Sequence, residues 1–319
     1  MNRLHLALFA TLTVILAVPA AAQEYPVKPI TIVVPFGPGS GTDVVSRIYS
    51  KFITEEFNGT AVIDYRPGAN AMIGAQLVAK AAPDGYTVLM GSGTANAANY
   101  ALYADRIPYK PEAFTTVSVI FVTPPVIFAA PGIPGDTVQK TIAAAKASGK
   151  SVSCGTGNAV TLVACEMLKR LTGEDLVAVS YKGNAQSLTD LAGGQISIAI
   201  SDMGAAAPFV SANRVRPVAI AAYDRLSSLP GTPTAKEQGL DMDFLSWNAV
   251  FVPAGTPQPA ILKLNAAARR MLASAEWDKQ RKMIGGTDVS GELAFSQKFV
   301  ADEIKKWERY VRESGVKVQ

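Results

Sequence analysis

Ile30 to Val34 (ITIVV) is a β-branched, largely apolar run, and it leads directly into a loop with three glycines and then into Val44, Ile48 and Phe52 at helical spacing. A strand that is apolar on both faces must be covered on both, which suits the interior of a parallel sheet. The same rhythm recurs along the chain. Strand-like runs at 61–64, 87–90, 152–154, 177–181 and 196–200 alternate with helix-period segments. These segments are marked by Ile73, Leu77 and Ala81, by residues 138–146, by Val160, Val163, Met167 and Leu171, and by residues 185–192. Such alternation predicts an α/β chain built on mostly parallel sheets, covered on both faces.

Thr123-Pro124-Pro125 separates two further runs, 116–121 and 126–129. Proline has no amide proton for a central ladder, so a crossover between sheets is expected there. From Trp247 the pattern reads strand (249–252), a Pro-Ala-Gly-Thr-Pro turn, and a helix with Ile261, Leu264, Ala268 and Leu272 in phase. A last amphipathic helix carries Val300, Ile304, Trp307 and Val311. If these segments pack back on the first block, the chain forms two domains, 23–124 with 247–319 and 125–246. The cleft between such domains is the default place for a ligand. Residues 1–22 stand outside this scheme: Arg3, an apolar stretch at 6–18 and Ala20-Ala21-Ala22 read as a removable export signal, short for a membrane span. No cysteine follows the small residues, so the mature chain is expected to be free in the periplasm rather than lipid-anchored.

Composition removes whole classes of chemistry. The single histidine among 319 residues is His5, inside the expected signal. Ser-His-Asp and Cys-His catalysis, imidazole acid–base chemistry and His-ligated metals are therefore closed to the mature chain. A formal net charge of +4 without a basic tract argues against nucleic acid as a partner. No spaced acidic pair stands out for general acid–base work beyond Asp43 and Asp202. No catalytic residue, metal or cofactor is expected, and the chain reads as a binder rather than an enzyme. Cys154 and Cys165 are the only cysteines. They can bridge only if strand and helix pack closely there, and two small buried thiols are the simpler expectation.

Polar and glycine-rich loops follow several of the expected strands, where open α/β sheets bind ligands. The first, Gly37-Pro38-Gly39-Ser40-Gly41-Thr42-Asp43, fails both nucleotide motifs. Val44 stands where a dinucleotide fingerprint needs its third glycine, and no Lys then Ser/Thr follows the last glycine. What remains is a helix N-terminus with free N–H groups, capped by Thr42 or Asp43, that suits a carboxylate or phosphate. An ordinary capped βα turn is the competing reading. Tyr181-Lys182-Gly183-Asn184-Ala185 is expected to hold the corresponding place in the second domain, so that two facing loops clamp a ligand with two acidic ends. Lys182 adds charge there unless it is only a solvated rim residue. The loops Cys154-Gly155-Thr156-Gly157-Asn158 and Ser92-Gly93-Thr94-Ala95-Asn96 offer Thr156, Asn158, Thr94 and Asn96 as further contacts. Asp202 either meets a ligand amine or caps a helix. Phe36, with Tyr103 and Trp247, supplies an apolar wall or simply core.

Several long segments carry a family resemblance: YPVKPITIVVPFGPGSGTDVVSR, PGANAMIGAQLVAKAAPDGYTVLMG, YKGNAQSLTDLAGGQISIAI, LPGTPTAKEQGL, FVPAGTP and EIKKWERYVRESGVK. Over nearly the whole mature chain they resemble the Bug-type periplasmic solute receptors of tripartite tricarboxylate transporters. The resemblance implies a two-domain periplasmic-binding-protein fold, type II-like, whose cleft closes on its ligand like a flytrap. It also implies a monomer that takes a small carboxylate (a di- or tricarboxylate, an acidic amino acid or an aromatic acid) and delivers it to integral membrane subunits of the transporter. One jaw would be Gly39, Ser40, Gly41, Thr42 and Asp43, the other Gly183, Asn184 and Ala185, acting through backbone N–H groups, hydroxyls and bridging waters. The Cys154 to Asn158 loop departs from the family's serine-rich version. An extracytoplasmic sensor partnering a membrane signalling receptor would use the same pocket and is the alternative.

Overall fold

The computed structural model describes residues 25–149 and 151–316, and the expected export signal at 1–22 lies outside them. The first stretch comprises β1 (Ile30–Val34), α1 (Gly41–Phe57), β2 (Ala61–Tyr65), α2 (Met72–Ala79) and β3 (Thr87–Ser92). A π-helical turn, Thr94–Ala98, then runs into α3 (Asn99–Tyr103) and is followed by β4 (Phe114–Thr123). The middle of the chain supplies β5 (Val126–Ala129), α4 (Val138–Ala147), β6 (Val152–Thr156), α5 (Ala159–Thr172), β7 (Leu176–Ser180), α6 (Asn184–Ala192), β8 (Ile198–Ser201), α7 (Met203–Ser211) and β9 (Arg216–Ile220). The last stretch is β10 (Ser246–Pro253), α8 (Gln258–Leu272), α9 (Ala275–Met283) and α10 (Leu293–Ser314).

These strands form two sheets, ordered β2-β1-β3-β10-β4 and β7-β6-β8-β5-β9. Parallel and antiparallel pairs are equal in number, so the sheets are mixed rather than mostly parallel; the parallel part sets Thr31 of β1 opposite Val62 of β2 and Thr87 of β3, and Cys154 of β6 opposite Ala178 of β7 and Ile198 of β8. One strand in each sheet is reversed. β10 lies antiparallel between β3 and β4, and β5 lies antiparallel between β8 and β9. The reversed strands are the ones that arrive from the other sheet: Pro124 and Pro125 lead from β4 into β5, and residues 221–245 lead from β9 back to β10. Side-chain periodicity carries no strand direction, which is why an expectation of parallel sheets overlooks both.

Because the two sheets share one strand order, β6 holds the place of β1 and β7 the place of β2. The counterpart of the β1–α1 loop is therefore the turn at 156–158, between β6 and α5. Residues 181–183 follow the edge strand β7 and mirror the loop between β2 and α2. This corrects the expectation that the Tyr181 to Ala185 loop corresponds to the first one.

Packing follows small and large residues as much as apolar ones. α1 buries Val45, Tyr49, Phe52 and Ile53 beside Leu264 and Ala268 of α8 and Trp277 of α9, each large side chain contributing about 1.5–3 kcal/mol. The Tyr49 hydroxyl donates to the Leu264 carbonyl oxygen at 3.0 Å. In α2 the buried face is Gly74, Ala75 and Val78, while Ile73 and Leu77 are exposed. The cause is proximity: a β-carbon on Gly74 would stand 2.9 Å from Pro35 and 3.0 Å from the Arg66 carbonyl oxygen, so only small residues fit underneath. Cys154 and Cys165 form a disulfide with Cα atoms 6.5 Å apart, both buried, instead of two thiols. β6 and α5 pack directly there, which is the condition a bridge requires. The long α10 touches both halves. Ser296 accepts from Val119 N–H of β4 at 2.9 Å, while Tyr310 bonds the Asp243 carbonyl and Arg170 of α5 bonds that of Glu313.

Candidate functional site

Two compartments lie between the sheets, and Phe36 and Asn158 line both. The smaller, about 40 Å³, is walled by Gly41 and Thr42 of α1, by Ser92-Gly93-Thr94, by Asp202, and by Ser246-Trp247-Asn248 at the start of β10. The larger, about 650 Å³, is walled by the loop 67–71, Tyr103, the turn 156–158, Leu162 and residues 180–182.

The start of α1 shows how the sequence builds the small compartment. Ser40, extended at φ −74 and ψ 158, is the N-cap and its Oγ accepts from Asp43 N–H at 3.1 Å. The cap is thus Ser40 rather than Thr42 or Asp43. Asp43 turns back, accepting from Gly39 N–H at 2.9 Å and from the Tyr65 hydroxyl at 2.6 Å, with Arg47 Nε 2.9 Å away. Burial, and after it the hydrogen bond to Asp43, push the Tyr65 phenol above its usual range. Backbone pairing of the first turn begins at Asp43 and Val44, which leaves the N–H groups of Gly41 and Thr42 unpaired among the described residues. They sit at the positive end of a 17-residue helix. Thr42 Oγ1 accepts from Asn248 Nδ2 at 3.0 Å, so its own proton is free to be donated.

The opposite lip belongs to α7. Asp202 caps that helix, with Oδ1 accepting from Ala205 N–H at 3.0 Å and Oδ2 from Asn184 Nδ2 at 2.7 Å. Helix capping, one of the two expected roles, therefore occupies its carboxylate. A β-carbon on Gly204 would stand 2.7 Å from the Gly41 Cα, so the N-termini of α1 and α7 meet. Behind them Asn158 caps α5, its Oδ1 accepting from Thr161 N–H at 3.0 Å while the Thr161 side chain bonds back to Asn158 N–H. Gly157 leaves no room for a side chain against the backbone of Gly183 and Asn184, which draws the two loops of the second sheet together.

The structure thus divides the sequence-expected residues. Phe36, Gly41, Thr42, Thr94, Thr156, Asn158, Lys182 and Asp202 line the compartments. Gly39, Ser40, Asp43, Gly183, Asn184 and Ala185 stand behind this lining, where they shape the loops. Asn96 is turned by the π-helical segment to a separate small cavity beside Tyr100 and Val300, and its Oδ1 accepts from Ser92 N–H at 3.3 Å. Sequence reasoning missed the loop 67–71 as a wall, together with Leu162, Ser180 and the residues flanking Trp247. In that loop Ala69, Asn70 and Ala71 all take positive φ, at 45, 52 and 69. Asn70 Nδ2 donates to the Tyr103 hydroxyl at 2.7 Å, and Asn99 Nδ2 donates to the Asn70 carbonyl at 2.8 Å. The Tyr181 hydroxyl donates to Asp190 at 2.9 Å; burial, then that hydrogen bond, push its phenol up to about 12. Trp247 is oriented from below by Glu303, whose Oε2 accepts from the indole N–H at 2.9 Å.

Two sheets of one strand order, exchanged strands, and a helix start at the seam define the periplasmic-binding-protein fold, with its site between two lobes. Residues 45–316 match the family described as the tripartite tricarboxylate transporter family receptor. The chain belongs to that family. It is 32% identical over 309 residues to the protein BugT of Bordetella pertussis, covering 95% of this chain and 94% of that one. Among solved structures it superposes on an R. palustris protein determined with adipate at a TM-score of 0.87, with 30% identity, covering 92% of this chain and 99% of that one. It also superposes on MatC from Rhodopseudomonas palustris, determined with bound malate, at a TM-score of 0.84 with 28% identity, covering 90% and 100%. Among the described residues no helix is long and apolar enough to cross a membrane.

Proposed function

We propose that this protein is a periplasmic solute receptor that reversibly captures a small carboxylate, without covalent chemistry, and delivers it to the integral membrane subunits of a tripartite tricarboxylate transporter. The observation that carries this reading is the start of α1, where two unpaired N–H groups and the hydroxyls of Thr42, Ser92 and Thr94 gather at a compartment the size of a carboxylate group. A helix N-terminus favours an anion without needing a committed arginine. The adipate and malate found with two structural relatives are acids of this kind. On this reading residues 23–124 with 247–319 belong to one lobe and residues 125–246 to the other, and the close approach of Gly204 to Gly41 supports a closed arrangement of the two. Residues 1–22 are removed on export, and the receptor acts as a monomer.

Native mass spectrometry of protein purified without unfolding, then calorimetry with succinate, malate and adipate, tests capture and oligomeric state. Uptake by a deletion strain tests delivery. A monomer that binds at least one of these acids and is required for its uptake is the expected result. Failure to bind any carboxylate overturns capture, and intact uptake in the deletion strain overturns delivery.

A further inference from the structure

We propose that Asn248 sets the selectivity of the small compartment: it holds the Thr42 hydroxyl as a hydrogen-bond donor, so that an ionised carboxylate is accepted there and the carboxamide of the same shape is rejected. This rests on the carboxylate capture proposed above and adds a positioning residue that acts through Thr42. Asn248 lies on β10, opposite Ser92 of β3, and is 5% exposed. Its Nδ2 donates to the Gly91 carbonyl oxygen at 3.1 Å and to Thr42 Oγ1 at 3.0 Å. The Gly91 carbonyl can only accept, so the atom facing it is the amide nitrogen, and the orientation of the side chain is fixed.

Both protons of that nitrogen are then in use, and an amide nitrogen accepts nothing. Thr42 Oγ1 is therefore the acceptor in this contact, and its own proton must leave in another direction. Among the described residues the hydroxyl donates to no group of the protein, and Thr42 lines the compartment. The Thr42 carbonyl accepts from the Ser46 hydroxyl at 2.7 Å, which anchors the residue in the first turn of α1. A carboxylate oxygen arriving here meets the Thr42 proton beside the unpaired N–H groups of Gly41 and Thr42, a set of donors for a group that only accepts. On the facing lip both Asp202 oxygens already accept, from Ala205 N–H and Asn184 Nδ2. A carboxamide sets its own N–H groups against these donors, which costs at least about tenfold in affinity. Asn248→Asp keeps the shape but replaces the donor by an acceptor. It draws the Thr42 proton to itself and turns an oxygen lone pair on the compartment.

Calorimetry on the mature protein compares succinate, malate and adipate with succinamide, malamide and adipamide. Both ends of each ligand carry the same group, so the end that enters does not matter. The native protein is expected to prefer an acid over its diamide by at least about tenfold, and Asn248→Asp to lower that preference by at least about tenfold. In a Thr42→Val background the same substitution should lower it by at least about threefold less, because the added charge acts in both backgrounds and the hydroxyl in only one. Equal lowering in the two backgrounds overturns the proposal, and so does a native protein that binds acid and diamide alike; either result leaves carboxylate capture standing. If Asn248→Asp does not fold or binds no acid, Asn248→Leu, which also cannot donate, takes its place in the same cycle: weaker acid binding that depends on the Thr42 hydroxyl supports the proposal, and weakening independent of it overturns it. If the native protein binds none of the three acids, the capture reading fails and this one with it.

Discussion

The α-carbon of Gly41 lies against Oδ1 of Asp202, so close that a β-carbon on Gly41 would overlap the carboxylate. Asp202 cannot easily give way, because Ala205 N–H and Asn184 Nδ2 hold it from two sides. The contact joins the start of α1 to the start of α7, and in the closure proposed above it belongs to the closed arrangement.

Gly41→Ala is therefore expected to penalise the closed arrangement and leave each lobe intact. Carboxylate affinity should drop at least about tenfold, the equivalent of about 1.4 kcal/mol, with a melting temperature near that of the native protein. Gly37→Ala is the control, since a β-carbon there meets nothing within 4 Å. Calorimetry and small-angle scattering read affinity and lobe separation. Native affinity in Gly41→Ala would show that closure does not depend on this contact.

The disulfide makes a second expectation concrete. Cys154 and Cys165, 11 positions apart, enclose Thr156, Gly157, Asn158 and Leu162, four residues of the larger compartment's wall. Closing a loop of this length stabilises by about 3 kcal/mol in the chain-entropy account. The Cys154→Ala/Cys165→Ala double variant should lose about 2–3 kcal/mol in urea unfolding and bind carboxylates more weakly, because the wall is no longer tied to α5. Unchanged stability together with unchanged affinity would count against a bridge at this position.

Much of this site is legible from local chemistry, and the remainder depends on what the chain meets at a distance. The glycines and the serine cap after β1, and the asparagine cap before α5, announce helix starts at strand ends, so Gly41, Thr42, Thr156 and Asn158 can be found by reading along the sequence. Asn248 reaches Thr42 from 206 residues further on, and no local pattern records that. The loop 67–71 is hidden for another reason: Ala71, at the N-cap of α2, makes no side-chain capping bond, so the usual signature of a helix start is missing. Knowing that β7 holds the place of β2 would have exposed it, because 67–71 then mirrors 181–183. The face of α2 is misread because close packing against Pro35 selects glycine and alanine over Ile73 and Leu77.

Glu303 supplies a pH dependence whose sign can be worked out. Burial raises its carboxyl above the usual glutamate range, with Lys306 and the Trp247 indole N–H opposing the shift, and with Asp243 and Tyr310 as the other polar groups nearby. In the window from the ordinary glutamate value, about 4.3, up to the higher folded value, the native state holds more protons than the unfolded chain, so stability falls as pH rises. Glu303→Gln keeps an acceptor for Trp247 and cannot ionise. Its stability relative to the native protein should rise with pH across that window and level off above it. Urea unfolding from pH 4 to pH 8 measures the difference; a gap that stays constant with pH would contradict the assignment of the strain to this carboxylate.

The exposed Ala69, at φ 45, tests whether the wall of the larger compartment is held under strain. An L-residue in this region costs about 1–2 kcal/mol, which glycine avoids, while glycine's greater freedom in the unfolded chain returns about 0.5–1 kcal/mol of that. Ala69→Gly should therefore stabilise the protein by about 0.5–1 kcal/mol, since the methyl group it removes is in solvent. The same change loosens the loop that positions Asn70 against Tyr103, so adipate should bind more weakly while the unfolding midpoint rises. Opposite movements of stability and affinity distinguish a wall strained for binding from an ordinary surface turn, in which a gain in stability would leave affinity unchanged.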